Sequence, residues 1–289
     1  MILRGRNFFG AFRVLEDAGT HSRRLMHGST LHGQQSLDPT LRREPTTYFT
    51  RSGPIGGLFA AKGAELGRPG TRVAVVGLGT GTLACYAQAR QAWTFHEIDP
   101  AVVRVAEDES LFTYLADARR GGAEVAIVEG DARLRLADAP DGGFALIVLD
   151  AFSSDAVPVH LLSREAIALY RRKLGPGGLL AFNITNRYLD LDPLMARQAR
   201  DAGLACRVRY DLDVPPEARV GGWQPSIWAV MAGNEADLAP LADGWHPPGA
   251  RPGASPWTDD YSDLASYLIL GRRRPPPDVP EKSASLAAP

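Results

Sequence analysis

Four carboxylates and one glycine-rich turn are the parts of this sequence that could do chemistry. The stretch Val73-Ala-Val-Val-Gly77-Leu-Gly79-Thr80-Gly81 sets three glycines at alternate positions directly after an apolar run. Glycines there allow a tight turn and let the backbone approach a ligand at the start of a following helix. Twenty residues after Gly77 comes Glu97, closing the next apolar run in Glu97-Ile98-Asp99, where a carboxylate can accept both hydroxyls of a ribose. Val128-Glu-Gly-Asp131-Ala132 closes a third run; an Asp there, with its adjacent backbone, can read an adenine amino group. A fourth run delivers Asp150, and Asp155 follows in Asp150-Ala-Phe-Ser-Ser-Asp155-Ala-Val-Pro158. If a substrate there is an amine, two acids attract its cationic form, and one can accept the proton that must leave before nitrogen attacks. Plainer roles stay open: Asp131 as a helix N-cap, Asp99-Pro100 as a helix start, and Asp155 as a loop cap.

The loop also narrows the ligand. A dinucleotide site prefers G-x-G-x-x-G, but the third glycine position is Thr82, and no basic partner for a pyrophosphate stands nearby. The spacing suits a nucleoside sulfonium such as S-adenosylmethionine. Common class I methyltransferases place an acid two residues before the first glycine; Val75 occupies that position here.

The elements that must position these residues follow from periodicity. Apolar runs at 73–76, 94–98, 125–128, 145–149 and 179–184 alternate with helical patterns at 82–91, 100–118, 159–174 and 191–202. Strict alternation of strand and helix means βαβ units and a parallel sheet covered on both faces. Two further runs, 206–210 and 226–231, are expected to close the sheet as an antiparallel hairpin. Short strand-like pieces at 8–15 and 22–27 predict a small N-terminal β domain over 1–52, ahead of a Rossmann-like domain over 53–270. Residues 271–289, with Arg-Arg-Arg-Pro-Pro-Pro and a Ser/Ala/Pro end, have nothing to bury and read as a disordered tail.

Composition sets outer bounds. The 289 residues carry 32 basic and 33 acidic side chains, a net charge of −1, which does not supply the basic surface that nucleic acid requires. No window reaches the length of apolar sequence needed for a membrane span. Cys85 and Cys206 have no partners at metal or disulfide spacing, so a reducing cytoplasm is expected and no metal. His27 and His32 have no acid or Cys completing a metal set, so hydrogen bonding is the expected role of both. Thr258 is expected to cap a helical turn carrying Asp259 and Asp260.

Taken together, residues 20–235 resemble the spermidine synthase (polyamine aminopropyltransferase) family, above all the domains found behind membrane-spanning segments in fused spermidine-synthase-like proteins. The residues that carry the resemblance are His27-Gly28-Ser-Thr30-Leu-His32-Gly33-Gln-Gln35, Pro45-Thr-Thr-Tyr48, the glycine loop, Glu97-Ile98-Asp99, Asp131-Ala132, the stretch from Asp150 to Pro158, and Gly221-Gly-Trp223. The resemblance implies an α/β fold with a methyltransferase-like Rossmann sheet behind an N-terminal β domain. It implies decarboxylated S-adenosylmethionine as donor, in-line aminopropyl transfer to an amine, and release of methylthioadenosine. By position, Glu97 would hold the ribose, Asp131 and Ala132 the adenine, and Gly77, Gly79, Thr80, Gly81 and Asp99 the rest of the donor. Asp150, with Asp155, would serve the amine, while Gln35 and Tyr48 would flank the transferred chain.

Three departures from the family pattern are visible. Thr80 replaces an acid in the glycine loop, Tyr48-Phe49-Thr50 lacks the family's His and Glu, and the family's Asp-x-x-Asp spacing is stretched to five positions from Asp150 to Asp155. Each weakens recognition of a diamine or of the decarboxylated donor. Intact S-adenosylmethionine, a methyltransferase or a non-catalytic nucleoside-binding domain therefore stay open, as do a homodimer and an upstream membrane domain.

Overall fold

Alternation of exposed and buried side chains builds the first sheet. Four antiparallel strands, β1 (Leu3–Asn7), β2 (Gly10–Asp17), β3 (Ser22–His27) and β4 (Thr30–Ser36), pair in chain order. Along β2, Ala11 and Arg13 are exposed while Phe12 and Val14 between and after them turn inward, Val14 fully buried, the period of a half-covered strand. The computed structural model describes residues 1–269 other than 29, 152–157, 221, 242–243, 252 and 254; the expected tail at 271–289 and Asp155 lie outside the described residues.

Runs with buried apolar side chains on both faces need cover on both sides, and such runs make the centre of the second sheet. Its members are β5 (Arg72–Val76), β6 (Ala92–Glu97), β7 (Glu124–Glu129), β8 (Phe144–Leu149), β9 (Leu174–Asn183), β10 (Ala205–Asp211) and β11 (Ser226–Ala232). The order is β10-β11-β9-β8-β5-β6-β7; β5 to β9 run parallel, and β11 and β10 close the edge antiparallel. Val73, Val75, Leu146 and Val148 point into one core layer, and Ala74, Val76, Ile147 and Leu149 into the other. Val76 is level with His96 on one side and with Leu149 on the other. The residues that follow, Gly77, Glu97 and Asp150, therefore emerge side by side at the carboxyl edge, where the strand order reverses.

Helix boundaries differ from those predicted, through local caps as well as tertiary contacts. The helix expected over 82–91 is one 3₁₀ turn, Thr82–Tyr86. The buried Gln91 side chain then takes over, accepting from Gln88 N and Trp93 Nε1 and donating to the Leu66 carbonyl. The stretch 100–118 splits into Pro100–Glu107 and Tyr114–Arg120. Asp108 accepts from Ser110 there, and Arg23 of β3 donates to the carbonyl oxygens of Ser110 and Leu111. The stretch 159–174 breaks at Ser163, whose hydroxyl caps Arg164–Lys173 by accepting from Ala166 N. A helix at Pro54–Ala61, opening on its proline, was not expected.

The first sheet is seated on the carboxyl edge of the second. Asn7 donates to Asp99 Oδ1 at 2.6 Å, and Tyr114 OH donates to the Gln34 carbonyl at 2.8 Å. A side chain at Gly79, which sits at φ +54°, would overlap the His32 carbonyl of β4. The glycine loop is thus roofed by backbone. Among the described residues no helix is long and apolar enough to cross a membrane.

Candidate active site

A cavity of about 690 Å³ opens at that edge, between the roof and the strand ends. Its wall includes Gly77, Gly79, Glu97, Asp99, Asp131, Ala132, Asp150 and Tyr48. Eight of the residues singled out in the sequence therefore meet in one space, although they span more than a hundred positions.

Glu97 leaves the end of β6 and turns its carboxylate toward the glycine loop. Oε2 accepts from Leu78 N at 3.1 Å and Oε1 from Asp99 N at 2.9 Å. Burial raises its pKa, against the pull of these backbone donors. Each oxygen keeps a free lone pair, so the group is held in place and can still accept two vicinal hydroxyls. Beside it Ile98 is 49 % exposed, an aliphatic surface on the cavity wall against which a flat base can lie.

Asp131 is a helix cap that keeps one carboxylate oxygen on the cavity side. It caps Ala132–Asp138, Oδ1 accepting from Leu134 N at 3.0 Å, while Oδ2 faces His160 Nε2 at 3.5 Å across the cavity wall. Asp99 is also a cap, its Oδ1 bound to Ala101 N at 2.8 Å, and its Oδ2 is buried with no partner.

Asp150 stands at the switch point. Its N–H donates to the Val76 carbonyl, and Gly77 packs so close to its carbonyl that a Cβ there would overlap it. Oδ1 accepts from the Asn183 amide at 2.7 Å, and Oδ2 from Tyr48 OH at 3.2 Å. Burial pushes the Asp150 carboxyl up to about 7, with the two hydrogen bonds pulling the other way. Burial, with the Asp150 charge beside it, raises Tyr48 well above its ordinary range, so the phenol stays a donor. A carboxylate poised near neutrality and oriented by two donors is equipped to take a proton.

Several expected residues lie elsewhere. Gln35 is buried away from the cavity, its amide donating to the Arg42 carbonyl and Thr113 Oγ1 and its oxygen accepting from Thr113 N. Thr80 and Gly81, at the end of the loop, do not line the cavity; Thr80 is 1 % exposed and shares a hydrogen bond with Thr82, and Gly81 packs on Leu115. Trp223 turns its indole to Asp211 Oδ2 at 2.8 Å. Thr258 caps no helix; Asp259 instead forms a two-pronged pair with Arg133 at 2.6 Å.

Other wall residues were not anticipated. Asn183 ends an apolar strand just as Asp150 does, and that shared position was the available signal. His96 is buried on the wall with both ring nitrogens unpartnered, and burial lowers it to about 4. His27 and His32 meet edge to face, with centroids 5.3 Å apart, rather than through the expected hydrogen bonds: Nε2 of each is buried without a partner. Burial, helped by His27, lowers His32 to about 4, so its ring is neutral. Among the described residues no three His, Cys, Asp or Glu side chains are grouped to hold a metal ion.

No protein-family model matches the chain, and no curated protein matches it in sequence. Solved structures do share its fold. A probable spermidine synthase from Corynebacterium glutamicum superposes with a TM-score of 0.63 at 15 % identity, over 91 % of this chain and 98 % of that one. Spermidine synthase from Thermotoga maritima gives 0.53 at 14 %, over 83 % and 75 %. A spermidine synthase in complex with the transition-state analogue AdoDATO gives 0.52 at 13 %, over 84 % and 74 %. The N-terminal four-stranded sheet and the seven-stranded Rossmann-like sheet together make a spermidine-synthase fold.

Proposed function

We propose that this protein is a transferase that binds decarboxylated S-adenosylmethionine, or S-adenosylmethionine itself, and moves the aminopropyl group of the former, or the carboxylated aminopropyl group of the latter, to an amine with release of methylthioadenosine. The observation that carries the proposal is Asp150, raised to about 7 and held by Asn183 and Tyr48, facing the same cavity as Glu97 and Asp131. Nucleoside-holding acids and a proton acceptor share one enclosure. The fold shared with spermidine synthases, one of them bound to AdoDATO, agrees with this use of the space.

In the proposed reaction Glu97 takes the ribose hydroxyls, and Asp131 with the Ala132 backbone takes the adenine edge. Asp150 binds the amine and accepts its proton. The freed nitrogen lone pair then attacks the carbon bound to sulfur. As that C–N bond forms, the C–S bond breaks and its electron pair returns to the sulfonium, leaving a neutral thioether. The sulfonium is already a good leaving group, so most of the acceleration comes from alignment and proximity. Asp155, outside the described residues, is proposed to help attract the amine.

Mass spectrometry of the nucleoside formed from each donor in the presence of an amine tests the proposal. Methylthioadenosine is expected. S-adenosylhomocysteine would make the protein a methyltransferase, and unaltered donor with measurable binding would make it a nucleoside-binding domain.

A further inference from the structure

The cavity wall carries four carboxylates, those of Glu97, Asp99, Asp131 and Asp150, and, among the described residues, a single arginine, Arg187. Arg187 pairs with none of the acids. Its side chain is exposed, with the guanidinium 5.7 Å over the ring of the equally exposed Tyr188. Its backbone is pinned on both sides. Asn183 Oδ1 accepts from Thr185 N and from the Thr185 hydroxyl, and Asn186 Oδ1 accepts from Tyr188 N and Leu189 N. Asn183 is also the donor that orients Asp150. One short, tied segment thus carries both the support of the proton acceptor and a cation with no ion-pair partner among the described residues.

Such a cation is misplaced for a substrate that bears only positive charge. A diamine and a decarboxylated sulfonium would be drawn in by the acids and repelled by Arg187. A guanidinium presents a planar fork of donors that matches a carboxylate in two parallel hydrogen bonds, a geometry an ammonium cannot copy. We propose that Arg187 binds a carboxylate of the ligand, so that at least one of the two substrates is an amino acid rather than a simple amine. The carboxylate belongs either to the methionine end of intact S-adenosylmethionine or to the acceptor. This assignment rests on the transferase reading of the same cavity and names the class of substrate it takes.

Two probe pairs that differ by one carboxylate decide it: S-adenosylmethionine against its decarboxylated form, and ornithine against putrescine. Calorimetric affinities are measured for the full chain, Arg187→Gln and Arg187→Lys, with thermal midpoints as a check of folding. In one pair the carboxylate-bearing member is expected to bind the unaltered protein more tightly. Arg187→Gln should cut that advantage roughly tenfold to a hundredfold, the worth of a charge-assisted pair. Arg187→Lys, which keeps charge and loses the fork, should restore part of it. A loss in the donor pair assigns the carboxylate to the donor, and a loss in the acceptor pair assigns it to the acceptor. Equal affinities within both pairs, or an advantage that survives Arg187→Gln, would overturn the assignment. Arg187-dependent binding without methylthioadenosine release would instead sink the aminopropyl-transfer reading and leave the carboxylate contact standing; no binding of any probe would sink both.

Discussion

The Asn183 amide donates to Asp150 Oδ1 at 2.7 Å, joining the carboxyl ends of two adjacent parallel strands. With Tyr48 on the other oxygen, this bond holds the carboxyl near 7 against the larger upward push of burial. A proton acceptor must be ionised to work, so turnover is expected to rise with pH through about 7. Removing either donor destabilises the charged form. Asn183→Leu and Tyr48→Phe should both move the midpoint of the pH–rate profile upward, and a midpoint that stays in place would refute the arrangement. Asp150→Asn should lower turnover by about two to four orders of magnitude while donor affinity is retained.

The same carboxyl shapes stability. Its folded pKa of about 7 lies above the ordinary 3.8, so between those values the folded chain holds a proton that the unfolded chain has lost. Stability from this group is therefore present at low pH and lost as pH rises toward 7. Asp150→Asn carries no such titration. Its thermal midpoint should exceed that of the unaltered protein above pH 7, with the difference shrinking as pH falls toward 4. Parallel midpoints across that range would count against a buried ionisable Asp150.

Glu97 accepts from the glycine loop and from Asp99 while keeping free lone pairs toward the cavity. Glu97→Gln presents one acceptor oxygen and sets an NH2 group against one of two backbone N–H donors. Nucleoside affinity is expected to drop at least about tenfold, as for loss of a charged hydrogen-bond acceptor. Calorimetry with S-adenosylmethionine measures it.

At Asp131 the observed cap can be separated from the proposed adenine contact. Asparagine caps a helix about as well as aspartate, whereas alanine costs about 1 kcal/mol. Asp131→Asn should leave the thermal midpoint unchanged and weaken nucleoside binding. Asp131→Ala should lower both. Equal affinity in Asp131→Asn would make the residue a cap alone.

How much was legible in advance depended on how local the cause was. The strands were readable because each apolar run needs two covered faces whatever surrounds it, and the acids at their ends were placed by the same logic. The helix boundaries were not. The stretch 100–118 is continuous as a pattern but is interrupted by Arg23, a residue of another sheet reaching the Ser110 and Leu111 carbonyls. Gln35 shows the opposite limit. Its position in a motif suggested the donor, yet Thr113, 78 positions away, occupies both ends of its amide. His96 could not have been read at all, because only the assembled wall reveals a buried ring with nothing bonded to it.

The overlap between a side chain at Gly79 and the His32 carbonyl reaches beyond the site. The loop and the roof above it are complementary surfaces of one seam: a side chain at Gly33 of the roof would in turn overlap the Thr80 side chain of the loop, so the two sides are matched at both contacts. Grafting the first four strands onto a related Rossmann sheet should succeed only when the glycine loop is transplanted with them.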